Sequence, residues 1–263
     1  MPRQVLSISS QVAFGPVGNT AAVPALQAAG FAVLQVPTII LSNHPGLGKP
    51  SGVKLPATEI QAILNSLENL GVLASCAGVM TGYFADADQI TIAADCIRKM
   101  KGKKPDLFIL VDPVLGDDNS LYVSKDIAEA IRSELLPLAS CITPNAFELG
   151  WLSGHTISNK NAAIAAATAL GIAEVLATSI PVDADTISTM AISKDGCAEI
   201  TSAFKASVPH GTGDFLSGLY LACRLNGYEA SQALDLSSAI LNAAISRSEG
   251  SPSLDIIGAL YGH

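Results

Sequence analysis

Leu107-Phe108-Ile109-Leu110-Val111 runs straight into Asp112-Pro113. Five consecutive apolar residues cannot be a half-exposed strand, which would alternate with polar residues. They predict a strand buried on both faces, as in a parallel sheet covered by helices on each side. The preceding segment agrees. Asp86 to Met100 sets Ile90, Ala93, Ala94, Ile97 and Met100 on one helical face. Lys99 and Lys101 in the last turn, Gly102 after it and Pro105 beyond are stop signals.

The same rhythm extends in both directions. Val5–Ile8 reads as a short strand, followed by a Ser/Gly/Pro loop from Ser9 to Gly18. Asn19 or Thr20 is placed to cap a helix through Ala29, stopped by Gly30. Phe31–Val36 reads as a strand and Ser42–Lys54 as a polar loop. Thr58 with Gln61 suggests a capping box for a helix to Leu70, and Val72–Met80 contains another buried strand. Beyond Asp112, Ser124 opens a helix to about Leu136 and a strand lies near Cys141. Short helices follow over Phe147–Leu152 and Lys160–Leu170, then a strand over Glu174–Thr178. Thr186–Ser193 and Cys197–Ser202 flank Lys194-Asp195-Gly196, which predicts an antiparallel hairpin at one sheet edge. Two helices, over Gly213–Gly227 and from Glu229 to about Arg247, close the pattern. Neither linker nor repeat interrupts it, so residues 1–263 are expected to form one α/β domain.

Composition narrows the function. The chain has 263 residues, 49% hydrophobic and 14% charged, enough for a large core. A net charge of -8 argues against nucleic acid or an anionic membrane as partner. Residues 4–48 carry no Lys, Arg, Asp or Glu, but Pro16, Pro24 and Pro37 break them; Asn69–Ala85 is broken by Gly71, Gly78 and Gly82. Neither is a run of about 20 apolar residues, so no membrane span is expected. Met1-Pro2-Arg3 leads directly into the first strand, so no secretory leader is expected. The cysteines at 76, 96, 141, 197 and 223 are odd in number and contain no CxxC, which fits free thiols in a reducing cytoplasm.

Four stretches could carry chemistry. His210-Gly211-Thr212-Gly213-Asp214 precedes the helical run Phe215–Leu219. Glycines there let a ligand approach the backbone, and the first N–H groups of the helix make an anion hole. Asp214 reads equally well as an N-cap and as a base. The stretch lacks the Lys-Ser/Thr of a Walker loop, and Leu216 replaces the third glycine of GxGxxG. Asp112 and Asp117 sit in a turn after a strand and could hold Mg²⁺, or be an Asp-Pro turn with a solvated partner. In Thr143-Pro144-Asn145-Ala146-Phe147-Glu148, Asn145 and Glu148 form a capping box, and Glu148 could also face the edge that carries Asp112. Ser9–Asn19 together with Ser42-Asn43-His44 could line a small-molecule pocket. The histidines at 44, 155, 210 and 263 show no zinc spacing, and no GxSxG elbow occurs. His263 is expected to be disordered.

The order ISSQVAFGPVGN, LSNH, TGYF, DPVLGD, TPNAFEL, TS, GTGD resembles pyridoxal kinases of the ribokinase-like superfamily over nearly the whole chain. The resemblance implies a three-layer αβα sandwich whose mostly parallel sheet ends in an antiparallel edge hairpin. It implies phosphorylation of the 5′-hydroxymethyl group of pyridoxal by MgATP, with a monovalent cation as a further requirement to consider. Asp214 matches the catalytic base, with the N–H groups of Gly211, Thr212 and Gly213 as anion hole. Asp112, Asp117, Thr143 and Glu148 match metal and nucleotide-phosphate positions; Thr178 and Ser179 match a nucleotide-contacting pair, and His210 adjoins the same loop. Ser10 matches the residue that bonds the pyridine ring. Val17, Asn43, His44 and Tyr83 match or adjoin the vitamin pocket. Pro45, Pro50, His210 and a short loop at Asp118-Asn119-Ser120-Leu121 depart from the family pattern and bear on pocket shape and nucleotide cover. A homodimer is expected from the resemblance. Two other readings compete: a hydroxymethylpyrimidine (phosphate) kinase, against which the first loop and Asp214 argue, and a non-catalytic vitamin B6-binding pseudokinase, which would not need a base.

Overall fold

The computed structural model describes residues 3–117, 120–205 and 207–262. In chain order the elements are β1 (Gln4–Phe14), α1 (Asn19–Ala28), β2 (Ala32–Asn43), β3 (Gly52–Lys54), α2 (Ala57–Asn69), β4 (Cys76–Thr81), α3 (Ala87–Lys103) and β5 (Phe108–Val111). They continue with β6 (Gly116–Asp117), β7 (Ser120–Leu121), α4 (Lys125–Ala130), β8 (Cys141–Ile142), α5 (Ala146–Ser153) and α6 (Lys160–Leu170). The last are β9 (Glu174–Pro181), β10 (Thr186–Ser193), β11 (Gly196–Ala203), α7 (Thr212–Leu225), α8 (Ala230–Arg247) and α9 (Ile256–Tyr261).

The main sheet runs β11-β10-β9-β8-β5-β4-β1-β2-β3. Its pairings from β9 through β8, β5, β4 and β1 to β2 are parallel, and both edges are antiparallel, with the foreseen β10–β11 hairpin on one side. Each central strand splits its residues between two cores. Val79, Ile109 and Ile142 join α2–α6 on one face; Met80, Leu110 and Cys141 join α1, α7 and α8 on the other. Continuous apolar runs are therefore what two covered faces require. The fold is the three-layer αβα sandwich with a mostly parallel sheet and an antiparallel edge hairpin that the resemblance implies. No described helix is long and apolar enough to cross a membrane.

Several local readings are corrected. β1 does not stop at Ile8. After a register shift between Ser9 and Gln11 it continues beside β2 to the Phe14–Asn43 pair, so only residues 15–18 remain as loop. Likewise β2 runs to Asn43, and the polar loop after it contains β3. Asn19 and Thr20 do not cap α1; Gly18 stands at the cap with φ +57°. Asn19 accepts from Ser7 Oγ at 2.7 Å and donates to Ser9 O at 3.2 Å, while Thr20 bonds both backbone groups of Val12. These side chains satisfy the polar groups of the irregular stretch of β1. The Thr58–Gln61 box is absent because α2 already begins at Ala57, where Pro56 O accepts from Glu59 and Ile60. Ser124 makes no side-chain cap, and α4 widens into a π-helical turn over Ile131–Leu135 before Pro137 ends it. The short helix α9 gave no periodic signal. The readings at Asp118, Asn119 and His263 lie outside the described residues.

α7 is the element the site depends on. Its far end is held by a two-pronged ion pair, Arg224 Nε to Glu174 Oε1 and Nη2 to Oε2, each 3.0 Å, with Arg224 over the Phe108 ring. Along its middle it meets α1 without a side chain between them: a Cβ on Gly218 would come within 2.7 Å of Ala22 O and 2.9 Å of Ala22 Cα. Gly218→Ala should therefore push α7 from α1 and lower stability by about 1–3 kcal/mol, read as a shift of the urea midpoint. An unchanged midpoint would show that the backbones can separate freely.

Candidate active site

The carboxyl ends of β1, β4, β5 and β8 form one edge, and the N-terminus of α7 points at it. Gly211 makes this possible. Its φ of +93° turns the chain into α7, and a Cβ there would run into Pro16 O. The N–H groups of Thr212 and Gly213 are left without helical acceptors. Asp214, half-buried in the first turn, accepts from the Gly18 backbone N–H, which ties the loop before α1 to the helix mouth. It does not act as the N-cap; that position belongs to Gly211.

One turn further along, Ser217 is buried. Its Oγ lies 3.0 Å from Asp112 Oδ2 and 2.8 Å from Thr143 Oγ1, and both hydroxyls hydrogen-bond the Asp112 carboxylate. Ser217 was not among the residues singled out from the sequence. The available signal was its spacing: three residues after Asp214 on a helix puts both on one face. Glu148 and Asn145 form the expected capping box, at 2.9 Å each way. Glu148 Oε1 also accepts from Leu115 N–H at 2.9 Å and from Gly116 N–H at 3.4 Å, so this carboxylate fixes the turn that follows Asp112. Asp117 sits exposed at the rim.

The electrostatics follow from this crowding. Burial, then the Asp214 and Glu148 charges, raise Asp112 well above the usual carboxylate range. Burial pushes Glu148 up to about 7 against the pull of its backbone donors, and Asp214 up to about 6 against the Gly18 bond. Carboxylates held this way favour a proton or a cation among them.

The remaining predicted residues divide. Ser10 is buried with Oγ against Gly18, Val17 is buried beside Gly211, and Tyr83 N–H donates to Ser9 Oγ at 3.2 Å. A Cβ on the adjacent Gly82 would lie 3.9 Å from Asp214 Oδ1, so this wall reaches the carboxylate. Thr178 N–H donates to Pro144 O at 2.9 Å, which brings β9 to the Thr143 loop. Ser179, exposed, has φ +55°, the one non-glycine residue with positive φ among those described. That conformation falls opposite the register shift between Ser188 and Met190, where β9 carries one residue more than β10. Asn43 spends its amide on the following loop, donating to His44 O and Gly48 O at 3.0 Å each. His44 and His210, read as belonging to vitamin and nucleotide sides respectively, stack on each other with ring centroids 4.1 Å apart. Burial and the neighbouring His210 lower the His44 pKa. Beyond His210 opens a cavity of about 700 Å³, lined by Leu47, Val208, Pro209 and Ile245 among others, which no sequence motif indicated.

A helix mouth with a carboxylate, facing a second carboxylate across a sheet edge, is the layout of a phosphotransferase acting on a small alcohol. The family described as phosphomethylpyrimidine kinase matches residues 18–253. A pyridoxine/pyridoxal/pyridoxamine kinase of Bordetella avium is 34% identical over 248 residues, covering 92% of this chain and 84% of that one. Pyridoxal kinase from Entamoeba histolytica superposes with a TM-score of 0.93 at 26% identity, covering 99% and 95% of the two chains. Pyridoxal kinase from Leishmania donovani, in complex with ADP and pyridoxine, superposes with a TM-score of 0.88 at 29% identity, covering 96% and 90%. The chain belongs to the pyridoxal kinase family.

The raised Asp214 pKa has a stability consequence. An ordinary Asp ionises near 3.8 and this one near 6, so the ligand-free fold binds its proton more tightly than the unfolded chain does. Stability is thus lost as pH rises from about 4 to 6 and stays reduced above that window. Asp214→Asn cannot ionise. It should be more stable than the parent by about 3 kcal/mol at pH 7.5, with the gap closing near pH 4 in urea titrations. An equal gap at both pH values would contradict the burial argument.

Proposed function

We propose that this protein phosphorylates the 5′-hydroxymethyl group of pyridoxal, and of related B6 vitamers, with ATP as phosphoryl donor. The observation that carries the reading is the placement of Asp214 at the mouth of α7, opposite Asp112 and beside the wall made by Ser9, Ser10 and Gly82. Ser10 would bond the pyridine ring, and Val17 and Tyr83 would flank it. Asp214, with a pKa of about 6, is ionised at neutral pH and close enough to neutrality to take the hydroxyl proton as oxygen attacks phosphorus. The Thr212 and Gly213 N–H groups, with the Gly211 turn, would face the charge that develops on the phosphoryl oxygens. Thr143, Thr178 and Ser179 stand along the same edge for the remaining phosphates, and the cavity beyond His210 has the size of a nucleoside site.

Mg²⁺ fits this donor set. Among the described residues no three His, Cys, Asp or Glu side chains converge as a ready-made metal cage. Asp112 and Glu148, with Asp117 at the rim, instead suit an ion that keeps much of its water and takes other ligands from phosphates. When bound, the ion would neutralise phosphate charge; these carboxylates would hold it, and Ser217 and Thr143 would keep Asp112 in place. A monovalent cation is a further candidate that the same assay can score. Five free thiols suit the cytoplasm.

The test is ATP-dependent formation of pyridoxal 5′-phosphate by the purified protein. Asp214→Asn and Asp214→Ala should lower kcat by about 100-fold or more with the fold intact. Parental turnover in either variant would remove Asp214 from the mechanism. Pyridoxine, pyridoxamine and hydroxymethylpyrimidine run alongside; preferential use of the pyrimidine would move the assignment to the relative named by the family match.

A homodimer through the β2–β3 edge is part of the proposal. Ile40 and Val53 form a cross-strand pair, both exposed, and the outer side of β3 has no partner strand among the described residues. Val53→Lys should shift the protein from dimer to monomer in sedimentation analysis; an unshifted dimer would place the interface elsewhere.

A further inference from the structure

Three backbone segments meet beside the helix mouth, with the Leu47 side chain and two histidine rings between them. The loop after β1 touches the turn after β2: a Cβ on Gly15 would lie 2.7 Å from Leu47 Cδ1 and 3.7 Å from His44 Cβ. The same loop touches the segment before α7 through Pro16 O and Gly211. The turn after β2, Pro45–Leu47, is shaped by His44, whose Nδ1 accepts from Gly46 N–H at 3.1 Å. That bond places the neutral ring's proton on Nε2. The turn is joined to the segment before α7 by the His44–His210 stack, 4.1 Å between centroids at a 34° tilt. A Cβ on Gly46 would run into His210 Nε2 and would sit 3.0 Å from His44 Nδ1. The His210 ring therefore lies directly on the Gly46 backbone as well as on the His44 ring.

We propose that His44 and His210 are positioning residues: their stacked rings clasp the turn at Pro45–Gly48 onto the segment that leads into α7. The loop over the vitamin side and the N–H groups on the phosphate side then close as one unit. What each loop holds rests on the function proposed above; the clasp itself rests on the contacts alone. Asn43 supports it from the other side, since its amide already folds residues 44–48 into a compact turn. His210 is exposed, so removing its ring should leave the core untouched.

The test is hydrogen–deuterium exchange of peptides covering residues 44–52 in the ligand-free protein, for the parent, His210→Ala and His210→Phe. Loss of a stacked ring pair should speed exchange there by about 3- to 10-fold in His210→Ala, with no change in melting temperature, and Phe should restore it. In the kinase assay, KM for pyridoxal should rise in His210→Ala by a larger factor than kcat falls, and Phe should again restore it. Equal exchange in the parent and His210→Ala, or no recovery with Phe, would overturn the clasp. Faster exchange in a protein whose parent never turns over pyridoxal would uphold the clasp and sink the functional reading instead.

Discussion

The Asp112 carboxylate, buried at the end of β5, takes hydrogen bonds from Ser217 on α7 and Thr143 after β8. A carboxylate this deep in protein is stable only if it is bonded or neutralised, and here two hydroxyls from two other elements converge on it. That requirement joins the sheet edge, the Thr143 loop and α7 at one point. Three residues before Ser217 on α7 the Gly18 N–H holds Asp214, and at the other end Arg224 holds Glu174. α7 is thus fixed at its mouth, its middle and its tail, and it cannot slide without breaking a buried polar contact.

This fixation explains how the site can gather negative charge. Burial raises the proton affinity of Asp112, Glu148 and Asp214, and the charges of the other two raise Asp112 further. The cost is carried by the rest of the fold: the Asn145–Glu148 capping box, the Leu115 and Gly116 donors, and the apolar layers on both sheet faces. A site so arranged is relieved by what a phosphotransferase supplies, a proton from an alcohol and a hydrated cation with its phosphates.

The glycines near the site have a related part. Gly211, Gly18 and Gly82 each stand where a Cβ would strike a neighbouring segment. They let loops from distant parts of the chain approach at backbone distance, so that contacts between loops are short and few. Ser179, within β9, holds φ +55° opposite the register shift with β10.

The sequence by itself determined the layered architecture. Runs such as Leu107–Val111 have to be buried on both faces, and the helices between them carry one apolar face each. It also placed Asp112, Thr143 and Asp214 next to strand or helix ends, because each follows or opens a regular element. Local rules failed where tertiary partners outbid them. Asn19 and Thr20 look like caps, yet they bond Ser7, Ser9 and Val12 because a register shift in β1 leaves polar groups there to satisfy. Tertiary structure alone decided that Ser217 joins Asp112 to Thr143, that His44 meets His210, and that a cavity opens beside them. Those contacts link residues 44 and 112 to positions more than 100 residues further along, and spacing in sequence carries no information about such pairs.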